Sequence, residues 1–193
     1  SKVAYDIYDT DLETAFERML EYLPKHTIVP ELSDRFSGVI LKPHKNRPDD
    51  VVISYRGTRN VSDALADITQ VAPGAPLEKL VGMPTGVFKL AADKYNDVRS
   101  KYPDARIITT GHSLGGSLAY YIGKEKNVKS YIFNAGSSPA DAVTEVNLNH
   151  TVDNISTHYY VVGDVVGASK AFLGSKRDRL VAIKPTKWIK DFQ

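Results

Sequence analysis

Along this chain the apolar residues follow two alternating periods. Over residues 10–23 they recur at helical spacing. Leu12, Phe16, Met19, Leu20 and Leu23 share one stripe, Thr10 and Glu13 are placed as a capping box, and Pro24 is a stop. Two strand-like runs follow, 37–42 and 51–55, and the PHKNRPDD between them predicts an exposed loop by its prolines and charges. A short helix is expected after Asn60 and a longer one over 84–101. Pro84 sits in the first turn of the longer helix, and Val87, Leu90, Ala91, Lys94, Tyr95 and Val98 mark its inward stripe. From there strands at 106–110, 129–133, 157–162 and 180–184 are expected, with a helix at 113–124 between the first two. Apolar strands alternating with amphipathic helices predict an α/β fold with a mostly parallel central sheet flanked by helices.

One stretch breaks the pattern. VAPGAPLEKLVGMPTG, beginning at Val71, carries three prolines and three glycines without regular periodicity. It reads as a loop lying over the scaffold, which makes residues 71–83 a candidate short lid whose Leu77, Leu80, Val81 and Met83 offer apolar surface.

With 193 residues and 42% hydrophobic content, one domain spanning 1–193 with a sizeable core is expected. Lys and Arg total 25 against 23 Asp and Glu, and a net charge of +2 gives no reason to expect nucleic acid or an anionic membrane as partner. No apolar run approaches the ~18 residues of a transmembrane segment, and the amino end lacks the charged-then-apolar pattern of a signal peptide. Compartment and oligomeric state stay open. The absence of cysteine excludes disulfides and thiolate chemistry. Sequons at Asn60, Asn149 and Asn154 read as chance occurrences in loops, and a Ser1 start with a Gln193 end suits a piece of a longer polypeptide. No metal is expected, because no H-E-x-x-H, paired helical His or EF-hand loop occurs, and no Lys follows Gly115-Gly116 as a phosphate loop requires. The cofactor expectation is therefore none.

The chemistry concentrates in IITTGHSLGGSLAYYI, residues 107–122. Gly111-His112-Ser113-Leu114-Gly115 has the form G-x-S-x-G, with a strand-like run before it and a helix-like run after. That context suits a sharp strand-to-helix turn on which a serine stands proud of the sheet edge, beside N–H groups that favour developing negative charge. The Leu114 N–H is one donor for such an oxyanion. Thr58, at the end of the buried VVISYRGT run, is placed to supply the second.

These pieces, in this order, resemble the class 3 lipase family, the fungal-lipase-like branch of the α/β-hydrolases. The family's R-G-T strand, D-L or D-I helix end, G-H-S-L-G-G elbow, F-N strand end and D-x-V turn stand here as Arg56-Gly57-Thr58, Asp67-Ile68, Gly111–Gly116, Phe133-Asn134 and Asp164-Val165-Val166. The resemblance implies a serine esterase or lipase that hydrolyses acyl or lipid esters through an acyl-enzyme on Ser113. Asp164 is the implied orienting carboxylate, Thr58 and Leu114 form the oxyanion hole, and a lipid or small ester is the partner, with transient lipid-surface contact left open. The H-x-G-F signature of the family's long helix is altered here to Pro84-Thr85-Gly86-Val87-Phe88.

The base is the departure. The fold's chain order is Ser, Asp, then His, yet no His follows Asp164. Lys187 stands where the imidazole would align, a possible base position if burial depresses its pKa. His158 is expected too far from Asp164, His112 is expected to pack under the turn, and His26, His44 and His150 lie away from the family position. Three alternatives stay open: a base from residues beyond Gln193 or from an unexpected loop, Lys187 itself, or a catalytically impaired lipase-like binding or structural module.

Overall fold

In the computed structural model, which describes residues 20, 21, 23–57, 87–134, 156–161 and 179–183, seven strands form one sheet whose spatial order is their chain order. β1 (Thr27–Ile28), β2 (Ser37–Lys42) and β3 (Asp50–Tyr55) are antiparallel neighbours. From β3 through β4 (Arg106–His112), β5 (Lys129–Phe133), β6 (Ser156–Val161) and β7 (Arg179–Ile183) every pair is parallel, as the alternating pattern predicts. Each parallel step moves in the same direction, so crossovers of the usual right hand bring their helices to one face. There α1 (Val87–Lys101), between β3 and β4, packs on α2 (Leu114–Lys126), between β4 and β5. No helix of the described residues is long and apolar enough to cross a membrane.

Strand alternation decides what those helices meet. Val39, Val51, Ile53, Tyr55 and Ile107 face them and form one buried cluster with Ala91, Tyr95, Val98, Leu118, Ala119 and Ile122. Three hydroxyls caught in this layer find acceptors, and an unmet buried donor would cost ~1–3 kcal/mol. Tyr55 donates to the Ala91 carbonyl at 2.9 Å, tying β3 to α1. Thr109 and Ser130 donate to the Ala119 carbonyl at 2.8 and 3.1 Å, tying β4 and β5 to α2. α2 ends at Asn127, whose left-handed φ of 54° turns its N–H back onto the Gly123 and Lys124 carbonyls. The opposite face of the sheet carries stacked Phe133 and Tyr159 rings, 5.0 Å apart.

Several expectations shift. β4 runs two residues past the expected 110, α2 starts at Leu114 and continues to Lys126, and β6 and β7 each begin and end one residue early. β1 was not anticipated, since two residues carry no readable period. Leu90 is not part of the inward stripe. It stands about 100° around the helix from Ala91, and that turn is enough to leave it 52% exposed. Of the first predicted helix, Leu20, Glu21 and Leu23 are described; the first two are helical and Leu23 already lies past the helix.

The PHKNRPDD segment also differs from an exposed loop at its last residue. Asp50 opens β3 opposite Arg106, and its carboxylate is buried. Arg106 Nε and Nη2 each donate to it at 2.8 Å, Arg47 Nη1 donates at 3.0 Å and His44 Nε2 lies at 3.0 Å. Burial alone would raise its pKa, but the hydrogen bonds from Arg106, Arg47 and His44 override that and hold it well below the ordinary 3.8. A depressed carboxylate stabilises the fold fully above its unfolded pKa and progressively less below it. Asp50→Asn is therefore expected to cost about 2 kcal/mol at neutral pH, because the arginines left behind keep part of their hydration. The gap to wild type should narrow as pH falls below 3.8, which urea unfolding at neutral and acidic pH would measure.

Candidate active site

The site is built on a corner of one residue. β4 ends at His112, α2 begins at Leu114, and Ser113 between them has φ 53° and ψ −123°. These are the angles of the first central residue of a type II′ turn, a place normally given to glycine. Ser113 is held there from both sides. Its N–H donates to the Phe133 carbonyl of β5 at 3.1 Å, and its own carbonyl accepts the Ser117 N–H at 3.1 Å as the helix begins. Its hydroxyl makes no capping hydrogen bond to the helix.

The two glycines of G-x-S-x-G have a steric cause. A Cβ on Gly111 would drive into the Gly115 carbonyl, and a Cβ on Gly115 would drive into the Tyr55 carbonyl at the end of β3. Their absence lets the first turn of α2 rest directly on the ends of β3 and β4. N–H groups of a helix's first turn have no acceptor within the helix, so this one presents donors and the positive end of its dipole at the sheet edge.

The ends of several strands converge there. Tyr55 is in register with Gly111, His112 with Phe133, and Phe133 with Tyr159. Asn134, directly after β5, takes φ 40° and donates its N–H to the Tyr159 carbonyl at 2.9 Å. After β3 the chain leaves through Arg56 and Gly57, with the Arg56 N–H donating to the Phe36 carbonyl at 2.8 Å. Of the residues singled out from the sequence, Ser113 and Leu114 are thus at the carboxyl edge of the sheet. Thr58, Asp164, Lys187, His150, residues 71–83 and the three sequons lie outside the described residues.

The described histidines are placed elsewhere or are poorly suited to accept a proton. His44 is bound to Asp50 at the amino end of β3, on the order of 20 Å from the corner by strand rise. His26 lines a hollow on the sheet face opposite the helices, with Leu23, Ile40 and Tyr131. His158 is buried in β6 under α2, its ring edge-on to Tyr120 at 5.0 Å, two helical turns past Ser113. Burial pushes the imidazole of His112 down to about 4, so it is neutral near pH 7 and a weak base.

Beside the corner lies a cavity of about 540 Å³ between the end of β3, α1 and α2. Phe36, Tyr55, Gly57, Ala91, Leu114 and Leu118 are among its walls. Sequence reading expected a cleft near Ser113 under a lid at 71–83 but did not name the residues that line this cavity. Its signal was faint, since Phe36 sits alone between Arg35 and Ser37 and Leu90 resembles a core position.

A mostly parallel sheet with a one-residue strand-to-helix corner at its carboxyl edge is the α/β-hydrolase fold in its fungal-lipase-like form. The profile of the phospholipase-like family described as the Tle-like phospholipase domain matches residues 5–175, and the chain belongs to that family. Among solved structures it is similar to the lipase of Rhizopus microsporus var. chinensis, at 19% identity and TM-score 0.57 over 89% of this chain and 67% of that one. It is also similar to Lip2 lipase of Yarrowia lipolytica, at 18% and 0.56 over 84% and 67%. Lipase II of Rhizopus niveus matches at 15% and 0.56 over 88% and 71%. No curated protein matches the sequence.

Two outcomes test the corner. Ser113→Gly should be about 1 kcal/mol more stable than Ser113→Ala, because glycine releases backbone strain of ~1–3 kcal/mol while adding unfolded-state entropy of ~0.5–1 kcal/mol. Thermal melts of the two variants would show the difference. For His112, the fold favours the neutral ring while the unfolded chain takes up a proton near the ordinary 6.5. Its contribution is complete above 6.5 and is lost as pH falls from there to about 4, and NMR should find its titration midpoint near the lower value.

Proposed function

We propose that this domain is a serine hydrolase of carboxylic esters, with Ser113 as nucleophile and a lipid ester as substrate. The observation that carries the proposal is the backbone of Ser113, a non-glycine residue held at φ 53° at the start of a helix and at the carboxyl edge of the sheet. Membership of a phospholipase-like family brings phospholipids forward among lipid esters.

In this reading the Ser113 Oγ attacks the ester carbonyl while a base takes its proton. The carbonyl oxygen gains a negative charge, and the N–H groups of Leu114 and Thr58 receive it as preorganised donors. Collapse expels the alcohol, which carries the proton away and leaves an acyl group on Ser113. Water, deprotonated by the same base, then releases the acid and restores the serine. Asp164 orients the base and stabilises its cationic form. Lys187 is the proposed base position, which requires an amine that is neutral when the serine proton arrives.

The second reading is a lipase-like module that binds without hydrolysing, and the sequence observation behind it is that no His follows Asp164. Turnover of a short-chain nitrophenyl ester separates the two. The enzyme reading expects Ser113→Ala to abolish turnover with little change in melting temperature, and Asp164→Asn to cost orders of magnitude. Lys187→Ala should be as damaging as loss of Ser113 if the amine is the base and nearly silent if it is not. Lys187→His should raise activity only where the other groups are already in place. A wild-type chain with no turnover and no fluorophosphonate label on Ser113 would leave the binding module as the function.

A further inference from the structure

We propose that the cavity between β3, α1 and α2 selects the alcohol side of the substrate, a zwitterionic phospholipid head group, with Arg35 as the partner of its phosphate and Asp97 as the partner of its amine. The assignment rests on the esterase reading of Ser113 and concerns which head group that site prefers. The cavity changes character along α1. Its α1 wall is one stripe, Leu90, Ala91, Asp93, Lys94 and Asp97, apolar nearer the carboxyl edge and charged beyond. Leu114 and Gly57 line the end beside the corner. Asp97 lies about 10 Å further along the helix than Leu90, in the direction that leads away from the carboxyl edge. The amine of an extended phospholipid is separated from its ester carbonyl by a comparable reach, on the order of 10 Å.

Six charged side chains of the described residues line the cavity, and most are already engaged. Lys94 pairs with Asp34 at 2.9 Å and donates to the Leu32 carbonyl at 2.7 Å, and Lys89 pairs with Asp93 at 2.5 Å. Arg56 donates through Nη1 to the Arg35 carbonyl at 3.2 Å, which brings a second guanidinium to the Arg35 wall. Arg35 and Asp97 remain, one of each sign, both exposed and in no ion pair among the described residues. They are also neighbours in space. Asp34 precedes Arg35 in the chain and Lys94 stands one helical turn before Asp97, so the Lys94–Asp34 pair joins the two walls and sets Arg35 and Asp97 on either side of it.

One charge of each sign on facing walls matches a ligand with one charge of each sign. A phosphodiester offers its oxygens to the planar fork of an arginine, and the ammonium of choline or ethanolamine offers its positive charge to a carboxylate. A head group with the phosphate alone gives Asp97 nothing and brings an anion toward it, a repulsive element of the kind that makes recognition selective. A diacylglycerol leaves both charges to water. The carbon links between the two poles of the head group need cover as well, and Phe36 and Leu90, at 54% and 52% exposure, stand on the same two walls to supply it.

Binding and turnover test this separately. The binding probes are ether-linked and cannot be cleaved: dihexyl glycerophosphocholine, dihexyl glycerophosphoglycerol and dihexyl glycerol, each titrated as monomers and followed by NMR. The phosphocholine should bind about fivefold tighter than the phosphoglycerol, the gain from one solvent-exposed charge pair. Asp97→Asn should erase that preference, and Arg35→Gln should weaken both phosphate probes about fivefold relative to dihexyl glycerol. Both side chains are exposed, so the variants should melt near wild type. In parallel, kcat/KM on the corresponding dihexanoyl esters should show the same head-group ratios, altered in the same way by each variant. Turnover with one set of head-group ratios in all three proteins overturns the head-group assignment and keeps the esterase. Probe binding that follows both variants without any turnover of the esters keeps the head-group site and overturns the esterase. Binding that does not distinguish phosphocholine from phosphoglycerol, or that neither variant alters, overturns the assignment outright.

Discussion

The structure depends on a close approach between a helix and two strand ends that no side chain could tolerate. The backbone of Gly115 in α2 rests on the Tyr55 carbonyl of β3, and the Gly115 carbonyl fills the space where a Cβ of Gly111 would be. Interiors are close-packed, so one added methyl at either position would have to displace backbone rather than side chain. Because α2 sits this low, the corner between β4 and α2 has a single residue in which to turn. That residue takes a conformation that side chains seldom adopt.

The rest of the sheet divides its work between its two edges. At the amino edge, Asp50 and Arg106 face each other across β3 and β4, and Arg47 and His44 complete the carboxylate's contacts. This is a clasp, made where the parallel strands begin. At the carboxyl edge the strands end in register, and the segments that follow β3, β4 and β5 leave from one line. Hydroxyl bonds from Tyr55, Thr109 and Ser130 to helix carbonyls lock α1 and α2 onto the sheet between these edges. Strain at Ser113 is thus carried by a scaffold tied at the opposite end and through its middle.

How much of this the sequence showed depends on the range of the forces involved. Strands β2 and β5 were legible to the residue, because alternation and apolar density are local. G-x-S-x-G between a strand and a helix was legible for the same reason, and the angles at Ser113 are what that motif implies. Partners far apart in the chain were not. Nothing in PHKNRPDD says that its last Asp will be buried, since the cause is Arg106, 56 residues away. Leu90 satisfies a helical period and yet faces a cavity, because the period does not say how wide the stripe is. Tyr55 could be read as a buried strand residue, but its hydroxyl needed the Ala91 carbonyl of a separate helix, and sequence offers no sign of that pairing.

The backbone also separates what the scaffold needs from what chemistry needs. Among the described residues three non-glycines have positive φ: Ser113, Asn127 and Asn134. Asparagine tolerates this region best, since its short amide can bond locally, and at Asn127 it serves a helix end in the ordinary left-handed conformation. The tight packing of α2 explains Gly111 and Gly115 whether or not the domain has any activity. It does not explain a serine at 113, where ψ of −123° lies outside the left-handed basin and glycine would fit without strain. A scaffold selected only for stability gains nothing from a hydroxyl in that position. The proposed ester chemistry would gain, because a serine on that corner stands next to the first turn of the helix, whose N–H groups favour developing negative charge.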